Sequence, residues 1–299
     1  MKILYLALLI ATCTLSACYH EDDLTPSANE TVGRFDFPQG TNSWDRDAEK
    51  IAGEFGVQLI YTNFSEEELN RTWVGSSLTG SPILADTLND DQADFAISFM
   101  KDHIFAHLNP DLLPRVFPTY ILLAYNITRY VEIIPGWGWT STLKTVKGMD
   151  FWAYCFEAKT TISRPQTPQQ YWKLRYDLLR DISQLILDRG NIEVAPKLIT
   201  DLDYETPYLV TSGYKDDPNY YKKRGFPGRS DRGWDPWDEV TSNNPKLIFM
   251  YYIHLAMYNT RETIVQENTD YPKVIELYDY VVDYLKTNYD WDVAKIAER

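Results

Sequence analysis

Histidine is nearly missing from this chain. Four occur in 299 residues, His20, His103, His107 and His254, and none lies between His107 and His254. Any chemistry that recruits imidazole as a base or a zinc ligand must draw on these few. Cysteine is as scarce, at positions 13, 18 and 155. Positive charge is outweighed, with 29 Lys and Arg against 43 Asp and Glu, for a formal charge of −14. Nucleic acid and anionic lipid both call for clustered Lys and Arg, so neither is expected as a partner. The apolar run Ile3–Ala11 falls well short of the about 20 residues that a bilayer span takes. No G-x-S-x-G elbow occurs, which removes the usual setting of a serine hydrolase nucleophile.

What is present begins at the N-terminus. Lys2, the short apolar run and Leu15-Ser16-Ala17-Cys18 read as a processed export signal. The Leu-Ser-Ala-Cys pattern resembles the lipobox of bacterial lipoproteins, which implies cleavage before Cys18 and lipid on that residue. Residues 1–17 then leave with Cys13 and Lys2, taking the charge to about −15. Cys155 is left alone, with neither a disulfide partner nor a thiolate cluster. It sits in the apolar run Phe151–Phe156 and reads as a small buried hydrophobe. Next to Cys18, the acidic cluster Glu21-Asp22-Asp23 resembles the surface-export tag of Bacteroidetes-type lipoproteins. That implies a lipid-anchored place in the outer membrane, facing the exterior. Residues 18–33 are polar and aperiodic and read as a flexible tether, followed by a folded domain over 34–299.

Within the domain, Ala48, Ile51, Ala52 and Phe55 recur at helical spacing and Gly56 ends their helix. A short strand is expected over 57–61, an irregular loop over 63–88 and a helix over 89–108. Strands are expected at 116–117 and 120–125, with a Gly- and Trp-rich hairpin around 136–139 and a further strand over 150–156. Thr167-Pro168 opens a helix that runs to Arg189, where Gly190 stops it. Residues 201–245 are loop-rich, and helices over 246–267 and 272–288 with a final turn complete the chain. A small N-terminal sheet with helices and a largely helical C-terminal half is an α+β fold.

Several clusters could carry chemistry. His103 and His107 stand at i and i+4, the zinc spacing of a hydrolase helix. The residue after the first His is Ile104, where such an enzyme needs a glutamate to activate water, and a third ligand is not evident. Asp201, Asp203 and Glu205 alternate in an acidic loop and would suit either solvent or a cation. Trp137, Trp139, Trp234 and Trp237 lie in Gly- and Pro-rich segments, where exposed rings favour binding. The basic stretch Lys222–Arg232 would clamp carboxylates of a ligand or pair with neighbouring acids.

Phe35-Asp36-Phe37-Pro38-Gln39-Gly40 with Trp44-Asp45, then Leu113-Pro114-Arg115-Val116, then Tyr278–Lys286 with Trp291-Asp292-Val293, together resemble an import-associated zinc metallohydrolase lipoprotein family of Bacteroidetes type. The resemblance implies a zincin-like fold in which the helix after the sheet bears H-E-x-x-H-x-x-H. Here those positions hold Arg180, Asp181, Gln184 and Leu187. Arg keeps its proton and Leu has no lone pair, so zinc has no ligand set there. The family likeness then implies a non-catalytic member without a cofactor: an accessory subunit of a TonB-dependent nutrient importer and its lid lipoprotein. It would bind a peptide or oligosaccharide cargo in the former cleft, with Arg180 engaging a carboxylate, or aid assembly of the complex. An active metal-dependent peptidase and a carbohydrate-binding surface lipoprotein are the rival readings.

Overall fold

The computed structural model describes residues 33–71, 81–134, 136–210, 212–228 and 244–298. The export signal, Cys18 and nearly all of the tether lie outside them, as do Trp234 and Trp237. One compact unit spans Phe37–Arg299.

Helix α1 (Ser43–Phe55) buries Asp45, Ala48 and Ile51 and ends on Gly56, whose φ of +69° suits a residue without Cβ. It leads into β1 (Gln58–Ile60). Residues 63–88 are not the plain loop that their polarity suggests. They hold a one-turn helix, α2 (Glu66–Leu69), and a strand, β2 (Ile83–Asp86). The strand is too short for a period to show, and Ile83 alone of its side chains is buried.

Helix α3 (Asp90–Phe99) starts on the Asn89 cap, whose side chain accepts from Gln92 N. It does not continue regularly to residue 108: Met100–Ile104 form a π turn and Phe105–His107 a 3₁₀ turn. Leu113–Val116 is a turn, so the strand expected at 116–117 does not form, and Arg115 there has φ +62°. The central strand is β3 (Tyr120–Ile134), fifteen residues long.

β3 has two halves. Its first, from Tyr120, runs parallel to both β1 and β6 (Phe151–Cys155), giving the order β1-β3-β6-β5 with β5 (Thr145–Lys147) antiparallel at the end. Ile121, Leu122, Leu123 and Ala124 are all buried, the continuous apolar run of a parallel strand covered on both faces. Asn126, at φ +53°, breaks this half from the next, and a register shift lies opposite in β2. Beyond this bulge β3 pairs antiparallel with β2 and with β4 (Trp137–Thr142).

Helix α4 (Pro168–Asp188) packs on the sheet. Thr167 and Gln170 form a capping box, Pro168 fills the first turn, and Gly190 follows the end at φ +76°. After a short α5 (Pro196–Thr200), the C-terminal half is α6 (Pro245–Tyr258), α7 (Arg261–Glu267), α8 (Pro272–Tyr289) and a 3₁₀ turn. The single helix expected over 246–267 is thus two, parted at Asn259-Thr260, where Thr260 caps the second. The architecture is α+β: a small mixed sheet in the N-terminal half and a largely helical C-terminal half.

Candidate functional site

The face of α4 toward β5 borders a groove of about 410 Å³. Its floor is apolar, with Tyr154, Phe156, Leu174 and Leu178. Lys144, Arg164, Lys173, Asp177, Arg180 and Asp181 stand around it. The outer wall is the loop 157–166. Arg164 pins that loop, its Nε donating to Glu157 at 2.7 Å and its Nη2 to Asp91 at 2.6 Å. Its guanidinium also lies 5.1 Å over the Phe95 ring, a cation–π contact.

Arg180 and Asp181 therefore line the groove, while Gln184 and Leu187 do not. Gln184 donates to Asp188 at 3.1 Å, away from the floor, and Leu187 is buried in the core. The four positions do not converge on one point, so they could not hold an ion between them. Asp177 pairs with Lys173, and Asp181 with Lys147 and Arg180. The two carboxylates thus face cations rather than each other across a substrate, unlike the pair of a glycosidase. Cys155 also borders the groove, and burial pushes its thiol pKa up, away from a reactive thiolate.

His103 and His107 lie elsewhere. The π turn disrupts the i, i+4 alignment that a regular helix would give them. His103 stacks on Phe99 and lies against Tyr171, with ring centroids 4.9 and 5.1 Å apart. Its Nδ1 is 3.5 Å from Nη1 of Arg175, a permanent cation where a metal would have to sit. Burial and Arg175 both lower the pKa of His103, and the same causes carry His107 down to about 4. Arg175 is itself buried and donates to the carbonyls of Ile296 and Glu298. The histidine pair is thus part of a structural knot, and it is not arranged as the metal site its spacing suggests. Among the described residues no group of three His, Cys, Asp or Glu is placed to hold a metal ion.

One contact was not legible in the sequence. Ser183 Oγ on α4 lies 3.3 Å from Nε2 of His254 on α6 and donates to the Arg180 carbonyl at 2.7 Å. Both side chains are buried. A substrate carbonyl cannot reach this Ser–His pair, which serves to join two helices.

The remaining candidates resolve as follows. Asp203 accepts from the N–H groups of Glu205 and Thr206, closing a turn, and its carboxylate pairs with Arg224 at 3.3 Å. Arg224 also donates to the carbonyls of Asp203, Thr206 and Pro207. Lys222 donates to Asn268 and Lys223 to the Asp216 carbonyl. The described part of the basic stretch therefore ties loops together. Trp137 and Trp139 are exposed on β4, away from the groove.

No family model matches the chain, and no curated protein matches it. Among solved structures, a chain from Bacteroides caccae named as a presumptive zinc-binding metallo-peptidase aligns over 85% of this chain and 88% of its own, at 10% identity and a TM-score of 0.42. That likeness is too slight to carry fold or chemistry from one chain to the other.

Proposed function

We propose that this is a surface lipoprotein whose groove between α4 and β5 holds a peptide strand without cleaving it, as an accessory subunit of a TonB-dependent nutrient importer and its lid lipoprotein. The groove is the observation on which the reading rests. Beside it, β5 ends the sheet with β6 as its one partner strand among the described residues. Cys155 N donates to the Lys144 carbonyl and Gly148 N to the Phe151 carbonyl. By the alternation of an antiparallel ladder, the N–H and C=O of Thr145 and Lys147 then face away from β6. An extended peptide can add there as a further strand, sending alternate side chains over the apolar floor. Cations and carboxylates on the rim suit both peptide charges. A sugar would need an open ring face, and Tyr154 and Phe156 are buried in the groove floor. The importer partnership and outer-membrane location are supported by the pattern around Cys18 and the family resemblance.

The test is anisotropy of fluorescein-labelled tryptic casein peptides titrated with the protein, with mass spectrometry of the peptides afterwards. A saturable rise with intact peptides is expected. Thr145→Pro removes one outward N–H on an edge strand that tolerates proline. It should weaken binding about tenfold, the worth of one hydrogen bond near 1.4 kcal/mol. No binding, or cleaved peptides, would overturn the reading.

A further inference from the structure

The hairpin of β3 and β4 has no part in the groove. Eight large apolar side chains are exposed among the described residues, and five of them, Leu84, Tyr130, Ile134, Trp137 and Trp139, belong to β2, β3 and β4. Ile134, Trp137 and Trp139 are 58%, 59% and 51% exposed.

Their arrangement restricts what could cover them. Trp139 pairs with Val131 and Thr140 with Tyr130, so Trp139 and Tyr130 stand on opposite faces of the hairpin. Trp137, two residues before Trp139, shares its face. The Tyr130 ring lies along Gly138, where a Cβ would come within 2.8 Å of it. A flat ligand site or an interface patch uses one face of a sheet. A blade that bears exposed large apolar side chains on both faces and at its tip is suited instead to immersion in a surrounding medium.

The sequence has the matching chemistry. Residues 133–143, Ile-Ile-Pro-Gly-Trp-Gly-Trp-Thr-Ser-Thr-Leu, contain no ionisable group in a chain where 24% of residues are charged. Glu132, at the base of the turn, accepts from Gly136 N at 2.7 Å and holds the tip in shape. That carboxylate and the net charge of −14 disfavour anionic headgroups, leaving an uncharged interfacial layer, where Trp is enriched.

We propose that the β3–β4 tip inserts into the interfacial layer of a lipid bilayer, adding a second membrane contact to the lipid on Cys18. The proposal relies on the lipoprotein reading for proximity. The sixteen residues from Cys18 to Gly33 reach at most about 50–55 Å, which holds the bilayer at high effective concentration. Weak affinity of the tip is then enough, and insertion of about 5–10 Å matches an amphipathic interfacial element.

The lipidated protein, purified from membranes and reconstituted into phosphatidylcholine vesicles with brominated acyl chains, tests this. Tryptophan emission is compared with that of a Trp137→Phe/Trp139→Phe variant, so the difference reports on those two rings. Bromolipid should quench at least half of the difference emission. Ile134→Asp, which places a charge at the tip, should abolish most of that quenching. An unquenched difference, or one that shifts only on adding malto-oligosaccharides or a co-purifying protein, overturns the proposal. Mass spectrometry of the Cys18 peptide tests the anchor separately. If Cys18 bears no acyl group, the anchor reading fails, and flotation with vesicles that is lost in the double variant would still support the tip.

Discussion

Protonating His107 would set a second positive charge near Arg175 inside the fold. Burial, with Arg175, His103 and Lys295 nearby, brings its pKa from 6.5 to about 4. The unfolded chain therefore takes up this proton at higher pH than the folded one. The stability at issue is complete above pH 6.5 and is lost as pH falls toward 4. After discounting for partial exposure it is about 2 kcal/mol. Urea midpoints should fall between pH 7 and pH 4, and fall less steeply in His107→Gln; parallel curves would contradict this origin. Asp45 is a second residue with a definite cost. It is buried, accepts from the Tyr61 hydroxyl at 2.7 Å and from Asn42 N at 2.8 Å, and stands where a Cβ on Gly40 would touch it. Burial and Asp45 together raise the Tyr61 pKa to about 12. Asp45→Ala removes the acceptor of two donors and should lower stability by about 2–4 kcal/mol in denaturant melts. The motif Gln39-Gly40 with Trp44-Asp45 was visible in the sequence as a pattern. Its role as a latch on Tyr61 was not, because the partner stands 16 residues on from Asp45.

At the scale of elements, the outer wall of the groove is a loop tied at its start by Asn126, which donates to the Glu157 carbonyl and accepts from Lys159 N, and toward its end by Arg164. Arg164 joins 157–166 to Asp91, Glu157 and the Phe95 ring. Arg164→Ala should cost about 1–2 kcal/mol locally and raise amide exchange across 157–166 roughly tenfold while α4 stays protected. Unchanged exchange in that loop would place its support elsewhere. Elements with strong local signals were readable: α4 from Thr167-Pro168 to Gly190, α1 to Gly56, and the buried runs of β3 and β6. Elements that depend on neighbours were not. β2 and β5 are four and three residues long and exist as strands because β3 and β6 offer them ladder partners. The π turn at Met100–Ile104 leaves no trace in residue periodicity, and it undid the helical alignment of His103 and His107.

For the whole molecule, the chain purified with zinc supplied should contain well under one zinc per protein by elemental analysis. Stoichiometric zinc lost on His103→Ala would revive the hydrolase reading. That expectation follows from composition, since no histidine lies between His107 and His254 and none can be supplied by folding. The sequence by itself also determined the acidic surface, the α+β order of elements and the helix that borders the groove, because charge, turn residues and apolar period act locally. The tertiary structure alone decided what the side chains do. His103 meets Arg175 across 72 positions and Ser183 meets His254 across 71. The groove takes its two sides from β5 and α4 and its wall from the loop between β6 and α4. The aromatic hairpin is exposed on both faces because β3 runs on past the buried run Ile121–Ala124 that anchors its first half in the core. Such meetings are set by packing over long separations, and no local pattern encodes them.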